Sequence, residues 1–335
     1  MGGSTYTPST FTARTTAAAA TGKSLFAHHT AVSAGKAHGI HPSLDPKYRN
    51  KDGKLIRESK DSDVHPNAKA VWVNFDGTGS MYQHPQLFAN KLAKLMEKIV
   101  KDGWLTNPHL LFSQNCDIDD DYPLQIGQFE GGNQMDDVLT NMLMAGGGSG
   151  PIESHEAYSL VLYMAAYHVD LDCVKKRGQK GYLFLLGDEL IHPELPPEYV
   201  KDVFDFDIPK AISREQLLED AKKNFDIHWI LPAGTMHFDD PRVVQPLKNM
   251  FGTNFHVLEV PEAVCELIAG IIAVNEGLDI DDVKDGIKDM GGTAAATAAA
   301  SKALVTYVGS TGLTTTKAGS DLALVEEEPE GANRI

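Results

Sequence analysis

The stretch Ala70-Val-Trp-Val-Asn-Phe-Asp76-Gly-Thr78-Gly-Ser80-Met81 constrains this chain more than any other. Six mostly apolar residues rich in β-formers precede Asp76, as in a strand buried on both faces of a parallel sheet. Asp76, Thr78 and Ser80 then fall at alternate positions, separated by Gly77 and Gly79. That spacing can set one carboxylate and two hydroxyls around a single point at the strand's carboxyl end. The glycines let the backbone bend close to whatever sits there. Hard oxygen donors with few carboxylates suit Mg²⁺ or Mn²⁺ better than zinc.

Downstream, strand and helix patterns alternate. Residues 85–101 carry Leu87, Phe88, Leu92, Leu95, Met96 and Ile99 at helical spacing, with Pro85 in the first turn. Strands are expected over 109–114, 124–129 (an edge), 181–187, 226–231 and 255–260. Helices are expected over 131–144, 153–176, 215–224, 240–251 and 261–274, with a short acidic one over 281–290. Residues 191–214 read as an irregular, Pro-rich loop on the ligand-binding face. Such alternation predicts an α/β fold: a doubly wound, mostly parallel, Rossmann-like sheet with helices on both faces. Ligands of these sheets sit at the carboxyl ends of the strands, where the winding reverses. Asp188 ends the strand expected over 181–187, so it is placed to face Asp76 across one ion.

The motif Asp76-x-Thr78-x-Ser80 resembles the metal-ion-dependent adhesion site of von Willebrand factor type A (vWA) domains. Four further stretches extend the resemblance: Ile56-Arg-Glu-Ser-Lys-Asp-Ser-Asp-Val-His-Pro66, Tyr122-Pro-Leu-Gln-Ile-Gly-Gln-Phe-Glu130, Glu153-Ser-His-Glu-Ala-Tyr158 and Gly181-Tyr-Leu-Phe-Leu-Leu-Gly-Asp188-Glu189. They are similar to the bacterial and phage vWA proteins associated with MoxR-type AAA+ ATPases and β-propeller partners, over residues 38–275. The resemblance implies a non-enzymatic, cation-dependent adaptor or scaffold, in which an acidic residue of a partner protein completes the coordination of Mg²⁺ or Mn²⁺. It also implies Asp188 as the last site aspartate. In that family a loop threonine forms the third arm. This chain has none there; Ser154 is the nearest replacement, with Glu153 and Ser149 as alternatives.

The outer segments read differently. Residues 1–37, rich in Thr, Ala, Ser and Gly, are expected to be an arm that is flexible or ordered by a partner. Residues 38–69 form an irregular lead-in to a domain over 70–277. Residues 278–335 hold the acidic helix and a low-complexity tail. A structural protein that assembles with itself into a particle or filament is the alternative reading, since arm, tail and acidic surface suit packing into a larger body.

Charge and cysteines narrow the setting. The 335 residues carry a formal charge of −16, which argues against nucleic acid or an anionic membrane as the main partner. Cys116, Cys173 and Cys265 are far apart and unpaired in pattern, as expected of a reducing, cytoplasmic setting. No apolar run approaches the ~18 residues a membrane span needs, and no secretory signal is evident.

Several motifs imitate other chemistries. Asn74-Phe-Asp76-Gly-Thr78 resembles the haloacid-dehalogenase motif, but an amide at the nucleophile position forms no aspartyl-phosphate. Thr21-Gly22-Lys23-Ser24 imitates a phosphate-binding loop, yet Ala17 stands where its first glycine belongs. His155-Glu-Ala-Tyr-Ser159 lacks the second histidine of a zinc-protease helix. Gly147-Gly-Ser149-Gly-Pro151 is not a nucleophile elbow. The aspartates of 117–121 lack the glycine and distal glutamate of a calcium loop. His28, His29, His38, His41 and His65 follow no zinc spacing.

Overall fold

The computed structural model describes residues 5–79, 81, 83–144 and 155–313. Its centre is a six-stranded sheet of β1 (Lys69–Asp76), β2 (Pro108–Asn115), β3 (Leu124–Ile126), β4 (Gly181–Leu186), β5 (Phe225–Pro232) and β6 (Phe255–Leu258). Their order across the sheet is β6-β5-β4-β1-β2-β3. All neighbours are parallel except β3, which runs antiparallel to β2. The fold is thus mixed α/β with a mostly parallel sheet.

Strand residues alternate between two apolar layers, as the two-residue period of a pleated strand requires. Val71, Val73 and Phe75 face one core, shared with helices α2 (His84–Met96) and α4 (Val264–Asn275). Ala70 and Trp72 face the other, shared with α3 (Tyr158–Tyr167) and the helices Arg214–Ala221 and Pro241–Phe251. Lys91 of α2 also pairs with Glu266 of α4, whose side chain is fully buried.

Several expectations are corrected. The arm of residues 1–37 holds a helix, α1 (Pro8–Thr21), and a short one over Ala27–Ser33. Phe11 of α1 is wholly buried, and Arg14 pairs with Asp137 at 2.8 Å. The tail holds α5 (Ala294–Thr311), capped by the Thr293 side chain accepting from the amide of Ala296. Its buried Ala296, Ala300, Leu304 and Tyr307 fall at helical spacing, so this Ala-rich run packs on the core rather than standing apart. The rest of the tail, from residue 314, lies outside the described residues.

The single helix expected over 153–176 is broken. After α3, Val169–Leu171 forms a strand parallel to Arg57–Ser59 of the lead-in, and Asp172–Arg177 forms a separate helix. At the start of the pairing the Arg57 amide donates to the His168 carbonyl (2.8 Å), while its fully buried side chain donates to the carbonyls of Gly127 (2.8 Å) and Asp45 (3.0 Å). The region 191–214 contains a helix over Pro197–Phe204, and the helix of 131–144 shortens to Gln134–Thr140.

Candidate metal centre at the carboxyl end of the sheet

β1 and β4 are neighbours, with Phe75 opposite Leu186. Asp76 closes β1, and Asp188 follows β4 after Gly187. Two fully buried carboxylates from distant parts of the chain therefore reach the same end of one sheet. Asp76 is held on both oxygens. Its Oδ1 accepts from the amide (2.8 Å) and hydroxyl (2.5 Å) of Thr78, and its Oδ2 accepts from the Tyr158 hydroxyl (2.7 Å). Asp188 Oδ2 accepts from the amide of His237 at 3.1 Å. Burial, then the charge of Asp188, pushes the Asp76 carboxyl up to about 6 against the pull of its hydrogen bonds. Ser80 and Ser154, and the alternatives Glu153 and Ser149, lie outside the described residues.

Two more carboxylates join them. The short strand His155–Glu156 pairs with Leu190–Ile191, just past Asp188. Glu156 is 3 % exposed, and its Oε2 has no hydrogen-bond partner among the described residues. Burial, then Asp76, Glu189 and the aspartates of the 117–121 loop, pushes Glu156 up to about 11. Burial followed by Asp76, Asp188 and Asp117 pushes Glu189 up to about 8, although His237 Nε2 lies 3.7 Å away. The charged groups that act most strongly on Asp76, Glu156 and Glu189 are all carboxylates.

Other buried polar atoms here also lack partners among the described residues. His84, the first residue of α2, is 1 % exposed with neither ring nitrogen bonded. Burial pushes its pKa down to about 4, against the opposing charges of Asp188 and Glu262. On β2, beside Phe75 and Asp76, the Gln114 amide and Asn115 Nδ2 make no hydrogen bond. An unsatisfied buried polar group is rare in a folded protein and asks for a ligand, ion or water. Glu156, Asn115, Gln114 and His84 all border the Asp76–Asp188 end of the sheet.

This donor set fits a hard divalent cation that keeps several waters, as Mg²⁺ does. The carboxylates of Asp76 and Asp188 and the hydroxyl of Thr78 are the described residues that would hold it. Among the described residues, no group of three or more His, Cys, Asp or Glu side chains could hold a metal. Any coordination therefore depends on hydroxyls, water and an outside ligand.

The Asp76–Tyr158 contact depends on Gly187. A Cβ there would lie 1.6 Å from the Tyr158 hydroxyl. Gly187→Ala should expel Tyr158 and lower stability by about 1–3 kcal/mol, as overpacking does. A urea midpoint equal to that of the wild type would contradict this.

The lookalike motifs have structural roles. Trp72 Nε1 donates to Ser113 Oγ (2.7 Å), Ser113 Oγ to Asn74 Oδ1 (2.6 Å), and Asn74 Nδ2 to Asn115 Oδ1 (2.6 Å). Both ends of the Asn74 amide are thus engaged inside the sheet. Gly22 caps the end of α1 with φ +64°, so Thr21–Ser24 follows a helix instead of opening one. Asp117 accepts from the amide of Ile118 and sits 3.0 Å from His192 Nε2. His28 bonds the Gly39 carbonyl at 2.9 Å, and His65 packs edge-on against His109.

Sequence reasoning missed Glu156, Tyr158 and His84. The first two lie within the stretch 153–158, but nothing in their spacing marks them. They come to the site only through the 155–156/190–191 pairing and the start of α3.

No family model matches this chain, and no curated protein matches it. Among solved structures, it is similar to a pilus adhesin, SpaC, from Lactobacillus rhamnosus GG in an open conformation. Identity is 13 %, the TM-score is 0.42, and the match covers 65 % of this chain and 31 % of that one. It is also similar to proximal thread matrix protein 1 from the mussel byssus, at 10 % identity and a TM-score of 0.40, over 62 % of this chain and 47 % of that one. The chain thus spans less than half the length of either, and at these scores the likeness carries no functional argument. Among the described residues, no helix is long and apolar enough to cross a membrane.

Proposed function

We propose that this chain is a non-enzymatic, divalent-cation-dependent protein-binding domain of the vWA kind, working as an adaptor beside an AAA+ ATPase of the MoxR type and a β-propeller protein. The observation that carries the reading is the meeting of Asp76 and Asp188 at the carboxyl ends of adjacent parallel strands, bordered by buried polar atoms that lack partners. The strand order β6-β5-β4-β1-β2-β3 supports it, because the winding reverses beside β1, where doubly wound sheets take their ligands.

A bound Mg²⁺ or Mn²⁺ would supply open coordination positions for an acidic side chain of the partner. Asp76 would orient its carboxylate through Thr78 and Tyr158, which fix both its oxygens. Asp188 would supply the second charge, held by the His237 amide. Ser80 and Ser154 would complete the hydroxyl set. The Lys91–Glu266 pair ties α2, which begins just after the metal loop, to α4, so partner binding could be felt in that helix. Unchanged amide-exchange protection in α4 with and without Mg²⁺ and partner would rule this coupling out.

Nothing in the Asn74 surroundings supports phosphoryl transfer, since the amide is consumed by Ser113 and Asn115. The purified protein should therefore give no turnover of p-nitrophenyl phosphate in Mg²⁺; steady, enzyme-dependent release would favour the dehalogenase-like reading. The functional test is capture from lysate of the source cell. An ATPase recovered in Mg²⁺ and lost in EDTA is expected. Recovery of this chain alone, indifferent to EDTA, would favour self-assembly.

A further inference from the structure

The last strand of the sheet, β6, has an open side: among the described residues no strand pairs with its outer edge. The Leu258 carbonyl points inward, accepting from the Ala233 amide at 2.8 Å. Main-chain groups alternate in direction along a strand, so the amide and carbonyl of Val257 point outward. The Val257 side chain is exposed as well. Phe255–Leu258 holds no proline, lysine or acidic residue. An edge without such protection is a template for another strand, and folded proteins usually cover it.

The edge lies in a groove of about 360 Å³. One wall is the helix Pro241–Phe251, with Val244 and Lys248; the other is α5, with Ala299, Lys302 and Ala303. The two alanines are one turn apart, and their short side chains leave room beside the strand. Lys302 reaches Glu259 at 2.6 Å, just past the carboxyl end of β6, while Tyr307 packs at 5.2 Å from His256. α5 therefore runs antiparallel to β6 and ends beside its amino end. Lys248 is near that amino end too, one turn before Gly252, where its helix stops.

The sequence beyond α5 contains Asp321-Leu-Ala-Leu-Val-Glu-Glu-Glu328, four apolar residues between acidic ends. We propose that the groove takes Leu322–Val325 of the same chain as an antiparallel seventh strand on β6. Its direction follows from handedness and charge. The helix joining β5 to β6 packs in one apolar layer and α5 in the other. A parallel strand following α5 would therefore close a left-handed crossover, which sheets almost never contain. The antiparallel strand sets Asp321 beside Lys302 and Glu326–Glu328 towards Lys248; the parallel one would bring those glutamates to Glu259. Residues 314–320 span about 23 Å when extended, enough to pass along β6, which is about 13 Å long. Side chains of the added strand then alternate between Ala299 and Ala303 on one wall and Val244 on the other.

Amide hydrogen exchange of the full chain and of Leu324→Pro, followed by NMR in EDTA, tests this independently of the metal centre. Proline removes an amide and is excluded from the middle of a paired strand. The Val257 amide should exchange at least about ten-fold faster in the variant, with the amides of Ile227–Leu231 in β5 unchanged. The wild-type chain should also show nuclear Overhauser contacts between Val257 and residues 322–325. Equal exchange at Val257 in the two chains would overturn the proposal: equally fast exchange leaves the groove empty, and equally slow exchange with a dimer in sedimentation gives the edge to a second copy. Absence of the Overhauser contacts in the wild-type chain would overturn it whatever the variant does.

Discussion

Asp76→Ala should abolish Mg²⁺- and Mn²⁺-dependent binding, with a loss of at least about 100-fold in metal affinity. Removing even the outer partners of a metal ligand typically costs about 10–100-fold, and Asp76 is itself the ligand. The fold should survive. The variant leaves the Thr78 amide and the Tyr158 hydroxyl without their acceptor, at about 1–3 kcal/mol. It also removes a buried carboxyl whose charged form is disfavoured there, which offsets part of that cost. Asp76→Asn separates the two effects, because its carbonyl oxygen can still accept from Thr78. It should lose metal while melting no lower than the wild-type protein without metal. Asp188→Ala should weaken binding strongly, and Thr78→Val and Ser80→Ala should each weaken it. Isothermal titration measures all of these, and full affinity in Asp76→Ala would remove the assignment.

Without metal, the protein should become less stable as pH rises from about 6.5 to 8, above the range in which its buried histidines, with pKa values pushed down by burial, add stability as pH rises, and divalent cation should reverse the trend. Asp76, Glu189 and Glu156 all have native pKa values above their ordinary ones: about 6 against 3.8, about 8 against 4.5, and about 11 against 4.5. Between each pair of values the native protein holds more protons than the unfolded chain, so stability falls with rising pH. Between about pH 4 and 6 the Asp76 contribution, about 3 kcal/mol from about two pKa units at 1.36 kcal/mol each, is opposed by the buried histidines, so the fall shows above that range, where Glu189 and Glu156 still carry it. A divalent cation binds the deprotonated carboxylates, so its affinity should tighten over the same range and its binding should release protons. Urea unfolding at several pH values, with Mg²⁺ and with EDTA, reads both effects. Metal-free stability that rises from about pH 6.5 to 8, or an affinity unaffected by pH, would contradict this account.

The strands were the legible part of the fold. Apolar runs such as Val71–Phe75 and Tyr182–Leu186 mark them, because strands buried on both faces tolerate little else. Asp76 and Asp188 were legible for the same reason, as the first carboxylates beyond two such runs. The helices α1 and α5 were hidden by composition. Their Ala- and Thr-rich sequences lack the contrast between faces that marks a surface helix, and only a few residues, such as Phe11, Leu304 and Tyr307, anchor them. The break after α3 was hidden by apolar continuity. Pairing of 169–171 with 57–59 overrides local helix propensity there, and no local pattern announces a partner more than a hundred residues away. Glu156 was illegible because its significance comes from burial, which one more glutamate in an acidic chain does not reveal.

The central claim is that Asp76 and Asp188 share one divalent ion. Anomalous diffraction from crystals grown with Mn²⁺ tests it most directly. The account predicts a peak within coordinating distance of both carboxylates and the Thr78 hydroxyl, at the carboxyl end of β1 and β4. Manganese bound only at the aspartates of 117–121, or none near Asp76 at saturating concentration, would contradict it.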